Sequence, residues 1–409
     1  MYLLIKGRFA QAFRLFFAMT VQRAVNIEDL RKLAQRRVPR AVFDYIDGGA
    51  DGEVTLRENR RAWEDIFFRP RNAVATPKCD TRVNVLGCDL ALPVILAPLG
   101  SSRMFHPTGE LAAAKAAGDA GIAYTLSTFS GYTFSELAAA ASAGKTAPLW
   151  YQLYLAGGRD VVEATLARAW KSNFKALAVT IDTNGPGMRE RDFRNGAPQL
   201  MGRSLFAMLP FAAQVIVRPK WAAGFLMDRK RAMHYANVII PGKGPLPAVD
   251  VQSSLRDSVV TWADLKWIRQ AWPGPILVKG VITGDDARQA VDAGVAGLIV
   301  SNHGGRQLDT VFPTARALPE VLEAVAGEAD VFVDGGIRRG ADIVKAICMG
   351  AKAVLIGRAY GYGLAAGGQA GVARAIAILK ADIERTLVLL GCDSVSKLDR
   401  SYIQLPKSW

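Results

Sequence analysis

A histidine and an arginine three residues apart, His303 and Arg306, stand where an apolar run breaks into a glycine-loosened polar turn, Ile299-Val300-Ser301-Asn302-His303-Gly304-Gly305-Arg306-Gln307-Leu308-Asp309. An imidazole takes up a proton near neutral pH, and a guanidinium grips a carboxylate through two parallel hydrogen bonds. Together they suit a substrate that carries an anionic group beside an abstractable proton. The chain has three histidines, so the choice of base is narrow. Gly297-Leu298-Ile299-Val300 is apolar and β-branched enough for a buried strand, and Gly304-Gly305 ends it. His303 and Arg306 are therefore expected at the strand's C-terminal lip, where α/β barrels and open α/β sheets carry their chemistry. A lone histidine there would read as a satisfied core residue and a lone arginine as a surface cation; the paired spacing inside this string points to a site instead.

Composition bounds the remainder. With 409 residues, half of them hydrophobic, the chain can bury a large core as one barrel with insertions or as two ordinary domains. Lys and Arg exceed Asp and Glu by 51 to 37, a net charge of +14 that favours anionic partners. No nucleic-acid motif is present, which leaves acidic lipid and small anionic substrates and excludes nucleic acid as an expected partner. Cys79, Cys88, Cys348 and Cys392 are too scattered for a metal cluster and too few for a disulfide framework, so no metal is expected and the compartment reads as reducing.

Eight short apolar runs recur, at 94–97, 122–126, 149–153, 176–181, 276–278, 297–300, 331–333 and 353–356. Helical patterns follow them, for example at 110–117, 160–171, 285–293 and 339–349. Eight strand–helix units predict a closed (β/α)8 barrel, a TIM barrel, over an open sheet. Polar or small residues should then gather on one rim. Strand one ends in Pro98-Leu99-Gly100, strand two in Ser127, and strand three carries Gln152 and Tyr154. Strand four ends in Thr180 and Asp182, followed by Arg189; strand five ends in Lys279, and strand six brings Ser301, His303 and Arg306. Strands seven and eight end in Asp334-Gly335-Gly336-Ile337-Arg338 and Gly357-Arg358, each leading into a helix. Such turns also serve simply to reverse the chain. A pair of them after the last two strands, each with an arginine, points to a phosphate site, because helix N-termini offer free amides to anions. Upstream, Asn26 with Asp29 caps a helix through 34, a second begins after Pro39, and Asp47-Gly48-Gly49-Ala50-Asp51-Gly52 forms a turn. Tyr45, just before it, reads by itself as a core aromatic.

The string from Ser301 to Asp309, with the rim motifs around it, resembles the active-site signature of the FMN-dependent L-2-hydroxy acid oxidases and dehydrogenases, the family of glycolate oxidase, mandelate dehydrogenase and the bacterial respiratory L-lactate dehydrogenase. The similarity runs motif by motif from about residue 26 to the end. It divides the chain into an extension, 1–25, and a barrel domain, 26–409, with an insertion at 183–260. The resemblance implies FMN, contacted by Pro98, Leu99, Gly100, Ser127, Gln152, Thr180, Lys279, Ser301, Asp334, Gly335, Gly336, Arg338, Gly357 and Arg358. Lys279 has its own rationale, since a fixed cation stabilises a ring that becomes anionic on reduction. The resemblance further implies that Arg306 and Arg189 hold the substrate carboxylate with help from Tyr45, and that Tyr154 lies on the hydroxyl side. His303 then takes a proton from the 2-hydroxy acid while Asp182 steadies the imidazolium. Met188 stands where some relatives carry another arginine, a departure that leaves Arg189 matched. Relatives are commonly tetrameric, which implies a homo-oligomer. Phe129 stands where the family walls its side-chain pocket; a ring there restricts bulk and favours L-lactate over mandelate.

Two further segments bear on location. Residues 1–27 hold Lys6, Arg8, Arg14 and Arg23 but no acid, with Ile5, Phe9, Phe13, Phe16 and Phe17 at near-helical spacing. This basic amphipathic stretch reads as an interfacial anchor, a targeting peptide, or an extension upstream of a start at Met19. Within the insertion, 201–231 combines thirteen large apolar residues with six cations and the single acid Asp228. Apolar bulk edged by cations favours an anionic membrane surface, hence a peripheral position on the cytoplasmic side of an inner membrane and a membrane quinone as electron acceptor. The other reading is a lid packed on the barrel or on a neighbouring subunit. Rival functions are a glycolate oxidase-like enzyme using oxygen, a mandelate dehydrogenase, an FMN-dependent isomerase of diphosphates, which has no need of the His303–Arg306 pair, and a flavin-binding protein without turnover.

Overall fold

Eight fully or nearly fully buried parallel strands close on themselves: β1 (Val94–Leu96), β2 (Ala123–Ser127), β3 (Leu149–Leu153), β4 (Ala176–Thr180), β5 (Ile276–Val281), β6 (Gly297–Val300), β7 (Asp330–Val333) and β8 (Ala353–Ile356). Each pairs with its sequence neighbour, and β8 returns to β1 through Val354↔Val94 and Ile356↔Leu96. The expected (β/α)8 TIM barrel is the fold. The computed structural model describes residues 20–142, 148–197, 206, 209–228, 234–250, 254–255, 258–407 and 409.

The strands read as continuous apolar runs because both faces are covered. Inside the barrel, Ala97, Ala123, Ala176, Ala178 and Ala353 make room for Trp150 and Phe332, whose rings meet edge to face at 5.7 Å. Outward, Leu126, Val179, Val278, Val300, Val333 and Ile356 pack under the helices. A hairpin of Val83–Val85 and Cys88–Leu90 seals the bottom by adding Val85 and Leu90 to the interior cluster. With that end closed, access is from the strands' C-terminal rim.

The N-terminal helices sit beside this rim. Asn26 accepts the Asp29 amide at 2.8 Å and starts Ile27–Arg37, one turn longer than its pattern indicated; Arg40–Asp47 follows Pro39. The next helix, Val54–Glu64, has no cap of its own. Its first two amides instead donate to the Asp309 carboxylate, at 3.1 and 2.7 Å, so a residue about 250 positions away supplies the cap. The last helix, Arg358–Leu390, breaks at Gly367 and Gly368 and packs along Ile27–Arg37. Residues 20–25 lie on the same surface, where Arg374 donates to the Ala24 carbonyl at 2.9 and 2.7 Å. The part of the basic extension before Thr20 is outside the described residues.

The described part of the insertion after β4 contains regular secondary structure. It holds short helices at Glu190–Arg194, Ala213–Ile216 and Pro219–Met227, then a hairpin of His234–Ile240 and Gly244–Pro247. One side is fastened to the barrel. Trp221 donates to the Met104 carbonyl at 2.8 Å, Gln214 bridges the Ala41 amide and the Asn195 carbonyl, and Asp228 pairs with buried Arg103. The other side exposes Phe206, Leu209, Ile216, Val217 and Met227. Among the described residues no helix is long and apolar enough to cross a membrane.

Candidate active site

A cavity of about 650 Å³ opens at the rim. Of the residues expected there, Tyr45, Pro98, Leu99, Gly100, Ser127, Gln152, Tyr154, Thr180, Arg189, Lys279, His303, Arg306, Asp334, Gly335, Gly336, Arg338, Gly357 and Arg358 line it. Asp182 and Ser301 stand behind that wall, in contact with residues that line it. Ser301 accepts from the Lys279 ammonium at 2.8 Å and from the His303 amide at 3.1 Å. Asp182 Oδ1 lies 2.9 Å from His303 Nδ1.

The histidine is held in an unusual backbone state. His303 has φ +57°, and Gly304 and Gly305 follow at +65° and +71°. A left-handed run costs little for glycine but of order 1–3 kcal/mol for a histidine, and it persists because the surroundings over-determine it. A Cβ at Gly305 would also stand 2.7 Å from the Leu56 backbone nitrogen, so glycine is sterically required there. The turn aims His303 Nε2 towards the Tyr154 hydroxyl, 3.4 Å away. Gln307, unmarked by its place in the string, stitches the turn to the loop after β4 by donating to the Asp182 and Gly185 carbonyls at 3.1 and 3.0 Å.

Electrostatics divide the cavity into two regions. Burial works against charge on Asp182, yet the His303 imidazole and Lys279 hold its carboxyl below the ordinary range. Burial pushes the Tyr154 phenol far up, with the Asp182 charge adding to it, so Tyr154 stays a neutral donor. Burial, and Arg189 beside it, pull the Arg306 guanidinium down. Arg306 commits Nη1 to the carbonyls of Tyr45 (2.7 Å) and Gly48 (3.1 Å) and stacks over the Tyr45 ring; its other nitrogens meet no protein acceptor among the described residues. Arg189 is paired with Asp192 at 3.1 Å. At the other end, burial and the neighbouring Arg306 and Arg338 pull Arg358 down to about 10, still cationic at neutral pH.

The residues fit FMN. The volume is in the range of a cofactor cleft. Asp334 lines it with Oδ1 buried and unpartnered among the described residues, an acceptor suited to a polyol hydroxyl, while Oδ2 pairs with Lys279 at 3.3 Å. The Arg358–Leu390 helix begins at Gly357 without a side-chain cap, leaving first-turn amides beside a cationic cluster for a phosphate. Ser127, Gln152 and Thr180 form a hydrogen-bonded polar row on adjoining strands.

Sequence reasoning missed Tyr235. It arrives from the insertion's hairpin, bonds Ser101 at 2.9 Å and packs on Phe129 at 4.9 Å, while Phe129 stacks on Tyr154 at 5.2 Å. Nothing local marks a residue from a crossover as part of a pocket. Asp192 was also missed, although its i+3 spacing from Arg189 offered a signal.

A family model described as FMN-dependent dehydrogenase matches residues 34–405. An L-lactate oxidase from Nostoc sp. is 37% identical over 388 residues, covering 93% of this chain and 98% of that protein. An L-lactate dehydrogenase from Caulobacter sp. is 38% identical, covering 92% and 97%. Among solved structures, one described as the monotopic membrane protein (S)-mandelate dehydrogenase superposes with a TM-score of 0.84 at 35% identity, covering 94% of this chain and all of that one.

Proposed function

Because the chain belongs to the FMN-dependent dehydrogenase family and is an FMN-dependent 2-hydroxy acid oxidoreductase, we propose that it oxidises a small L-2-hydroxy acid, L-lactate before others, to the 2-oxo acid and passes the electrons to a membrane quinone. The observation that carries this reading is one cavity wall holding a carboxylate-backed imidazole, His303 with Asp182 at 2.9 Å, beside the guanidiniums of Arg306 and Arg189.

Bound FMN supplies the two-electron sink. The chain's residues do the rest. Arg306 and Arg189 grip the substrate carboxylate, with the Tyr45 phenol beside them, which fixes the 2-carbon and its hydroxyl under His303. His303 takes the substrate proton at Nε2. Asp182 keeps Nδ1 protonated and lowers the cost of the imidazolium that forms. Tyr154, neutral and 3.4 Å from Nε2, donates to the substrate oxygen. Lys279, buried between Ser301 and Asp334, supplies a fixed positive charge on the FMN side of the cavity.

The Phe129, Tyr154 and Tyr235 rings support a small substrate side chain. Anaerobic bleaching of the flavin by L-lactate, lost in His303→Gln, tests the reading. A specificity constant higher for L-mandelate than for L-lactate overturns the size argument. Turnover with a quinone analogue and little hydrogen peroxide supports the quinone; a stoichiometric peroxide yield places the protein with the oxidases.

The quinone fits a peripheral position on the cytoplasmic side of an inner membrane. Support comes from the insertion, fastened by Trp221, Gln214 and Asp228 on one side and presenting Ile216, Val217 and Met227 beside Lys220 on the other. Co-sedimentation with phosphatidylglycerol vesicles, weak with phosphatidylcholine and lost in Ile216→Asp/Val217→Asp, is the expected outcome; equal recovery of both proteins in the supernatant refutes it.

A further inference from the structure

The three groups assigned to the substrate carboxylate come from segments far apart in sequence: Tyr45 from an N-terminal helix, Arg189 from the insertion, and Arg306 from the β6 turn. Their mutual register must be set by something rigid. The turn 48–51 touches both partners. The Ala50 amide donates to the Gly305 carbonyl and the Asp51 amide to the Met188 carbonyl, each at 2.8 Å, in each case the residue before an arginine of the site. The carbonyls of Tyr45 and Gly48 in turn receive Arg306 Nη1. Those of Ile46 and Gly48 receive Arg358, at 3.1 and 2.7 Å.

At the centre of that segment lies one buried side chain, Asp47. Its carboxylate accepts two hydrogen bonds from Arg31, at 2.6 and 2.9 Å, one from Arg191 at 2.9 Å and one from the Tyr362 hydroxyl at 2.8 Å. Arg191 lies two residues beyond Arg189 and also bonds Glu53, whose other oxygen takes the Gly49 amide at 2.9 Å. We propose that Asp47 is a positioning residue for the reaction: its carboxylate locks the 45–51 segment to the 189–192 segment, so that Tyr45, Arg189 and Arg306 close on one substrate carboxylate. Burial opposes the charge on Asp47, yet hydrogen bonds from Arg31, Tyr362 and Arg191 hold it well below the ordinary carboxylate range, so the lock stays anionic through the neutral range. The facing charges are Arg31, Arg191, Asp44 and Glu53, with Arg358 on the cavity side.

The inference rests on the carboxylate-binding role given above to Arg306 and Arg189, and its test separates the two. Oxalate serves as the probe, titrated calorimetrically into the FMN-loaded protein beside steady-state kinetics with L-lactate. A misplacement of about 1 Å at a binding group costs up to on the order of 10²-fold. Asp47→Asn is therefore expected to raise the oxalate Kd and the KM by about tenfold or more, with kcat within about threefold. Arg31→Met removes two of the four bonds but leaves the arm to Arg191, so it should lower thermal stability while the oxalate Kd stays within about threefold. Should Asp47→Asn not fold, Arg191→Met, which cuts only the arm towards Arg189, must raise the Kd more than Arg31→Met does. Equal effects of Arg31→Met and Arg191→Met, or an unchanged Kd in Asp47→Asn, overturn the proposal by reducing Asp47 to a stabilising residue. Failure of the native protein to bind oxalate overturns the carboxylate role itself, and this inference with it.

Discussion

Asp182→Asn isolates the carboxylate behind the base. In the native protein Asp182 Oδ1 and His303 Nδ1 are 2.9 Å apart, and their side chains are only 13% and 25% exposed. Unit charges about 4 Å apart at an effective dielectric of about 20 attract by about 4 kcal/mol. Solvent at the rim screens the pair, so about half of that is a lower bound. A loss of roughly 2–4 kcal/mol from the proton-accepting step is a fall of about 30-fold to 10³-fold, at about 1.4 kcal/mol per decade. With its NH2 turned inward, asparagine donates to Nδ1 instead of accepting from it and so favours the wrong tautomer. Asp182 does not touch the carboxylate end, so KM should move by no more than about threefold. The assay is the single-turnover rate of flavin bleaching by L-lactate in anaerobic stopped flow, with circular dichroism to verify the fold. A rate within about tenfold of the native protein would refute the account of Asp182 as a support for the imidazolium.

Other outcomes follow from the same geometry. Glu110 is fully buried and burial lifts its carboxyl to about 7 from 4.5, so the folded state holds a proton the unfolded state has lost between those values. Stability from this group is complete below about pH 4.5 and declines to about pH 7, by about 3 kcal/mol; Glu110→Gln should remove that slope, leaving the variant more stable at pH 8 and equal at pH 4.5 in urea titrations. Lys279→Met strands the buried Asp334 carboxylate 3.3 Å away, at a cost of about 3–5 kcal/mol, and should also raise the FMN dissociation constant measured by fluorescence quenching. Asn26→Ala removes the cap that takes the Asp29 amide and should lower unfolding free energy by about 1 kcal/mol without altering turnover.

The eight strands were legible because a strand covered on both faces needs an unbroken apolar run, and each run ended in the glycine, proline or polar residues that the rim requires. The site string was equally plain, since His303, Gly304, Gly305 and Arg306 are neighbours and their spacing is local. Apart from the pairings that the resemblance implied, such as Asp182 with His303, contacts between distant segments stayed hidden. Asp309 capping Val54–Glu64, Tyr235 walling the pocket from a hairpin, and Asp47 binding Arg31, Arg191 and Tyr362 join residues up to about 315 positions apart. Periodicity and turn chemistry record how each segment meets water; which side chains face each other is decided only when strand eight hydrogen-bonds to strand one and brings all the rim turns around a single mouth.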